Sequence, residues 1–338
     1  MKVCLASSGG GHLRQLASLK ELLSSVDHYF VVEKTAYSQS LERVHRCFFV
    51  PDVALANLKR SPKAWRNLLV NLGVSLRASW REKPDVILSA GAGAALPSLL
   101  LGWLLGKRTV FLETLAHVRT PSVTGRIAAR FVAVHLVQWE PLANLFPDAV
   151  VVCPLVSAKE SLPPLSGAIR KTLVTVGTHA PFDRLVREVE RLVEKGHIEG
   201  TVTAQVGRGG YRPPSMETFE ECGQAEMQNL LEDSDLVITH AGTGSILAAL
   251  EAGCRVLAVA RSAAAGEHYD DHQLEILDEL VRRKAILGAK DPSLLEDLIG
   301  QIPFFESERV RYDTEPIERE ILRLLDRWSA GEPRGKPS

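Results

Sequence analysis

The run His240-Ala-Gly-Thr-Gly-Ser245 has the residue types and spacing of an anion site. Asp235-Leu-Val-Ile-Thr239 before it reads as a buried strand, and Ser245–Ala252 after it as an Ala/Leu-rich helix. Glycines let backbone N–H groups approach a ligand closely, and a helix start adds unpaired donors and the positive end of a dipole. That is diphosphate chemistry; the plainer reading is a tight turn. A second such turn, Ser7-Ser-Gly-Gly-Gly-His12, follows the first apolar run. There a dinucleotide fingerprint is weighed, with Glu33 as the ribose ligand. Arg14 stands where the third glycine would be and is too bulky for close helix–strand packing, so a sugar-linked diphosphate fits better. His12, at the mouth of the turn, could donate to an anion or take a proton; the plainer reading is a surface histidine capping the helix.

Alternating strands and helices must carry these turns. The first half reads as strands at Val3–Ser7, Tyr29–Glu33, Cys47–Val50, Val86–Ser89, Thr109–Glu113, His135–Trp139 and Val150–Val152, with helices at Leu13–Leu23 and Ala94–Leu105. Ser157–Arg170, with Pro163-Pro164 and Gly167, reads as a linker. The alternation restarts at Thr172 and runs to the helix Asp271–Arg283, and Glu315–Trp328 reads as a terminal helix with Ile317, Ile321, Leu324, Leu325 and Trp328 on one face. Such alternation implies parallel sheets covered on both faces, and ligands at the carboxyl ends of strands. The fold class is α/β, as two Rossmann-like doubly wound parallel-sheet domains with an interdomain cleft. Their bounds are 1–160 and 161–312, followed by a C-terminal helix over 313–330 and a disordered tail over 331–338.

Composition narrows the partners. A net charge of −1 over 338 residues argues against general nucleic-acid binding. Five scattered cysteines lack metal-ligand spacing and read as reduced core thiols of a cytoplasmic protein. Met1–Ala6 reads as a strand rather than a leader, and the apolar run Ala94–Gly106, about 13 residues, is shorter than the roughly 20 a membrane span needs. Between Ala54 and Lys83, basic residues (Lys59, Arg60, Lys63, Arg66, Arg77) interleave with Trp65, Trp80 and aliphatics. That suits a segment lying on an anionic bilayer, against a core helix with a solvated basic face.

Gly9–His12, Val86-Ile-Leu-Ser-Ala-Gly-Ala-Gly93, Phe111-Leu-Glu-Thr114, Ser122–Gly125 and Val137-Gln-Trp139 resemble the membrane-recruiting subunit of the two-subunit enzyme that adds the second N-acetylglucosamine to dolichol-diphosphate sugar. Leu173–Thr178, Phe182–Leu185, His240–Ser245 and Glu267–Gln273 resemble its catalytic subunit. The chain thus resembles a fusion of two family 28 glycosyltransferase subunits. Bacterial pairs of this type build exopolysaccharide and capsule with glucuronic acid or galactose, and the lipid II-forming transferase is a more distant relative.

The resemblance implies a GT-B, inverting, metal-independent enzyme with no cofactor. The second domain would bind a UDP-sugar and the first a polyprenyl-diphosphate-linked saccharide, peripherally on the inner face of the cytoplasmic membrane, with possible polysaccharide-assembly partners. Gly177, Thr178, His240, Gly242, Thr243, Gly244 and Ser245 would hold the donor diphosphate, and Glu267, His268, Asp271, His272 and Gln273 the donor sugar. Relatives carry a ribose-binding glutamate where Ala248 stands, with Glu251 as its possible replacement. Gly9, Gly10, Gly11, Gly91 and Gly93 would receive the acceptor. Glu113 and His12 compete as base, with His12 favoured. The favoured transfer is glucuronic acid, β-1,4 to glucose, with Arg208, Arg261 or His268 on the donor carboxylate; galactose and N-acetylglucosamine stay open. The rivals are a UDP-sugar epimerase and a non-catalytic membrane adaptor.

Overall fold

The computed structural model describes residues 1–53, 61–146, 148–163, 167–177, 180–268 and 271–332. Lys59, Arg60, Thr178 and all but two residues of the expected tail lie outside these. Chain contacts divide the protein into two compact units, Met1–Pro154 with Asp313–Ser338, and Leu155–Tyr312.

The first unit is a seven-stranded parallel sheet: β1 (Lys2–Ser7), β2 (Asp27–Glu33), β3 (Cys47–Val50), β4 (Val86–Gly91), β5 (Arg108–Leu112), β6 (Val134–Val137) and β7 (Ala149–Val151), in the order β3-β2-β1-β4-β5-β6-β7. Successive side chains of a strand point to opposite faces. Val3 and Leu5 of β1 therefore join Leu13, Leu16 and the terminal-helix residues Ile317, Ile321 and Leu324 in one core, while Cys4 and Ala6 join Ala78 and Leu99 in the other. Burial on both faces explains why the central strands are unbroken apolar runs. The connections from β1 and β4 leave in opposite directions, so the sheet switches between these neighbouring strands, where doubly wound sheets receive ligands.

The second unit repeats the plan with β9 (Lys171–Thr175), β10 (Thr201–Gln205), β11 (Glu217–Phe219), β12 (Leu236–His240), β13 (Arg255–Val259) and β14 (Leu287–Ala289), in the order β11-β10-β9-β12-β13-β14. Its switch lies between β9 and β12. The expected linker is corrected here: β8 (Leu155–Leu162) pairs antiparallel with β15 (Ser307–Tyr312), Tyr312 opposite Leu155. Residues from 155 to 157, placed before the boundary by the sequence, thus pair inside the second unit. The expected helix Leu13–Leu23 is two helices, Gly10–Ala17 and Lys20–Ser25, because Leu19 leaves helical geometry to bury its side chain fully.

The helix Pro62–Glu82 has reversed polarity. It buries Ala64, Asn71, Ser75, Ala78 and Glu82, and Ser75 meets Ser98 of the helix Leu96–Leu104 at 2.9 Å. Trp65, Leu69, Val70, Leu76 and Trp80 face outward, Trp80 at 80% exposure, beside Trp103 and Leu104 of the neighbouring helix, Leu104 at 64%. Among the described residues no helix is long and apolar enough to cross a membrane.

Candidate functional site

In the first unit, the turn after β1 runs into the helix Gly10–Ala17. Gly10 has φ +64°, a conformation that favours glycine. The Gly9 N–H is already taken, donating to Glu33 Oε2 at 2.9 Å, so the open amides of this turn are those of Gly10 and Gly11, both exposed. His12 reaches across the switch and places Nδ1 2.8 Å from the Ala90 carbonyl at the end of β4. A carbonyl only accepts, so Nδ1 carries the proton and Nε2 is the basic nitrogen of the neutral ring. Gly91 and Gly93 are buried. Gly91 accepts from Ser8 N–H at 2.9 Å and donates to Ser89 Oγ at 3.1 Å, so it joins the two strand ends.

Glu113, immediately after β5, is 1% exposed. Oε1 accepts from Thr114 N–H, and Oε2 accepts from Ser122 N–H and Oγ, each at 3.1 Å. Ser122 in turn caps the helix Val123–Ala128 by accepting from Gly125 N–H. A Cβ at Gly125 would stand 2.1 Å from Glu113 Oε2, which makes the packing specific. Burial pushes the Glu113 carboxyl up, while the charge of His117 and hydrogen bonds from Thr114 and Ser122 pull it down. The sequence placed this carboxylate at a cleft; here it is enclosed, and it organises the loop from 114 to 122.

In the second unit, Gly177 (φ +73°) follows β9 and Gly242 follows β12, and His240, 8% exposed, packs between them. A Cβ at Gly242 would lie 2.2 Å from His240 Nε2, and one at Gly177 2.6 Å from Cε1. Gly242 caps the helix Thr243–Glu251, which has no side-chain cap and no acid in its first turn. Ser245 N–H closes onto Gly242 O at 3.1 Å. The amides of Thr243 and Gly244 thus stand at a dipole end, with no acidic residue in the helix's own first turn.

Beneath this turn the ends of β9, β10 and β12 are tied: Thr175 Oγ1 donates to Gln205 Oε1 at 2.6 Å, and Thr239 Oγ1 to Thr175 O at 3.1 Å. The 267–273 cluster divides. Glu267 is held by Arg184 (Nε–Oε1 2.8 Å, Nη2–Oε2 3.1 Å) and accepts from Ser262 N–H, and Gln273 is buried with Oε1 on Arg261 N–H. Asp271 accepts from Ala263 N–H at 3.2 Å. All three are tied into the loop after β13. His268 and His272 meet edge to face at 4.7 Å and are both half-buried. Glu251 ends its helix, about 12 Å along the axis from Thr243, too far to serve a ligand at the helix start. Arg208 pairs with Glu221 at 2.9 Å, and the Arg261 guanidinium is turned onto backbone carbonyls. Arg184 went unassigned in the sequence because Glu267 lies 83 residues away and Asp291, its other partner, 107.

Residues 5–155 match the family described as "Oligosaccharide biosynthesis protein Alg14 like", and residues 172–309 match "Glycosyltransferase family 28 C-terminal domain". A mouse protein named "UDP-N-acetylglucosamine transferase subunit ALG14" is 27% identical over 175 residues, 44% of this chain and 81% of the relative. A Yarrowia lipolytica protein named "UDP-N-acetylglucosamine transferase subunit ALG13" is 31% identical over 172 residues, 46% of this chain and 82% of the relative. The crystal structure of Acinetobacter baumannii MurG superposes with a TM-score of 0.63 at 15% identity, covering 96% of this chain and 99% of that one, a likeness of fold.

Proposed function

Since the chain belongs to glycosyltransferase family 28, with both halves of the two-subunit type on one GT-B polypeptide, we propose that it transfers a hexose from a UDP-sugar, with inversion, to a polyprenyl-diphosphate-linked saccharide. The observation that carries this is the uncapped start of the helix Thr243–Glu251, packed with Gly177 around His240. Amides of Thr243 and Gly244, the Ser245 hydroxyl and the helix dipole would take the charge that develops on departing UDP. On the acceptor unit, His12 Nε2 would remove the acceptor hydroxyl's proton as its oxygen attacks the anomeric carbon and the bond to the diphosphate breaks. Glu113 would act one step back, by shaping the 114–122 loop. The open amides of Gly10 and Gly11 suit the acceptor diphosphate.

We read the donor sugar as N-acetylglucosamine. The relatives' names carry it. Glucuronic acid, passed β-1,4 to lipid-linked glucose for exopolysaccharide or capsule, is the second reading; the His268–His272 pair, when protonated, would meet its carboxylate. Leaving-group stabilisation by amides needs no metal, so turnover should persist in EDTA. The outward tryptophans and leucines, rimmed by exposed Lys63, Arg66 and Arg77, support a peripheral seat on an anionic cytoplasmic leaflet.

A panel of UDP-sugars with a short polyprenyl-diphosphate-linked acceptor, read by mass spectrometry, tests the reading. Product with UDP-N-acetylglucosamine supports it, and product with UDP-glucuronic acid alone replaces the sugar. Conversion of the donor without acceptor points to an epimerase. No product with any donor leaves the adaptor role.

A further inference from the structure

Among its described residues, the donor-side unit holds a buried cation with no carboxylate in ion-pair contact. Arg261 lies two residues beyond β13 and is 1% exposed. Its Nη2 donates to Val176 O at 2.8 Å and to Ala180 O, and its Nε–H has no partner. The nearby Glu267 is engaged by Arg184, and among the described residues no carboxylate is in ion-pair contact with Arg261. Phe182 closes one side, its ring centroid 5.5 Å from the guanidinium carbon.

Strand order fixes where this charge lies. β9 and β13 flank β12, so a side chain rooted past β13 and bonded to a carbonyl at the end of β9 spans the carboxyl end of β12. That is where Ala241 N–H donates to Val259 O and the His240–Gly242 turn begins. Taking a guanidinium out of water is strongly unfavourable unless it is paired, and two carbonyl dipoles offset only part of this. An anion held at the Gly177 and Gly242 turns would supply the missing partner. We propose that Arg261 is a positioning residue for the nucleotide's diphosphate, holding the Val176 and Ala180 carbonyls and placing a fixed positive charge under the leaving group. The inference rests on reading these turns as the donor site, and it adds a residue that the glycine pattern does not contain.

The test uses the full-length chain as wild type, Arg261→Met, Arg261→Gln and Arg261→Lys. UDP binding is measured by calorimetry, uridine binding by ligand-observed NMR, and folding by thermal melting. Loss of a charge-assisted contact should weaken UDP about tenfold or more in the two neutral variants. Uridine, which carries no phosphate, should stay within about twofold, and Arg261→Lys should recover most of the UDP affinity. Wild-type UDP affinity in either folded neutral variant overturns the proposal. So does an equal loss of uridine and UDP that lysine does not rescue, which is the signature of a structural role. If wild type itself takes up no UDP, the donor-site reading falls and takes this inference with it.

Discussion

His12 and Glu113 are both titratable groups close to the carboxyl ends of neighbouring strands, and their surroundings give them different work. His12 places Nδ1 on a strand-end carbonyl, whereas Glu113 spends both oxygens on the loop it closes. Replacing His12 with Asn should lower kcat by about 10²–10⁴ with the melting temperature unchanged; steady-state rates with lipid acceptor decide, and a near-normal rate removes His12 as base. Glu113→Ala should act on stability instead, at about 1–3 kcal/mol for each buried donor left unpaired, and urea unfolding would show it. A third titratable group lies away from both turns. His135 is 5% exposed between Phe111 and Phe146, neither ring nitrogen has a partner, and burial lowers its pKa to about 4. The unfolded chain takes up this proton near pH 6.5 and the folded chain only near 4. Stability should therefore fall as pH drops from 6.5 to 4, by an amount on the order of 3 kcal/mol. His135→Leu should flatten that part of the stability curve; an unchanged slope would place its origin elsewhere.

At the scale of elements, what the sequence made legible was local. The strand–glycine–helix units stand where apolar runs and turn residues put them, because a strand buried on both faces and a glycine turn each leave a contiguous signature. Gly242 illustrates this: Gly242→Ala should cut UDP affinity, since the added carbon meets the imidazole ring of His240 at the last position of β12. What stayed hidden was long-range. Nothing near Leu155–Leu162 announces a partner at Ser307–Tyr312, and nothing near Arg184 announces Glu267. The helix Pro62–Glu82 was ambiguous for another reason. Apolar periodicity locates an amphipathic face but assumes that this face turns inward, and here the small stripe of Ala64, Asn71, Ser75 and Ala78 does so. The outward face has its own consequence. Arg66→Glu with Arg77→Glu should weaken flotation with anionic vesicles at about 1 kcal/mol per charge removed, and Trp80→Glu should weaken it with neutral ones too. Vesicle binding indifferent to all three would end the membrane reading of this face.

For the whole molecule, the chain's course matters more than its length. It builds the first unit, crosses at Leu155 to build the second, and returns at Asp313 so that its last helix completes the first. That helix, Glu315–Ser329, buries Ile317, Ile321, Leu324, Leu325 and Trp328 in the core around β1. Its Glu318 Oε1 also accepts from Glu21 N–H at 2.7 Å and Leu22 N–H at 3.2 Å, capping the helix Lys20–Ser25. Each large apolar side chain buried there is worth about 1.5–3 kcal/mol, so five of them rival the entire stability of a typical domain, about 5–15 kcal/mol. A chain ending at Tyr312 keeps β15 and hence the β8–β15 pair of the second unit. Truncation there should abolish the melting transition and protease resistance of the first unit while UDP binding by the second persists. Transfer to lipid acceptor should vanish with the first unit, even though every residue assigned to the donor remains. A truncated chain that still melts as wild type would show that the terminal helix is dispensable packing and not the closing piece of the acceptor unit.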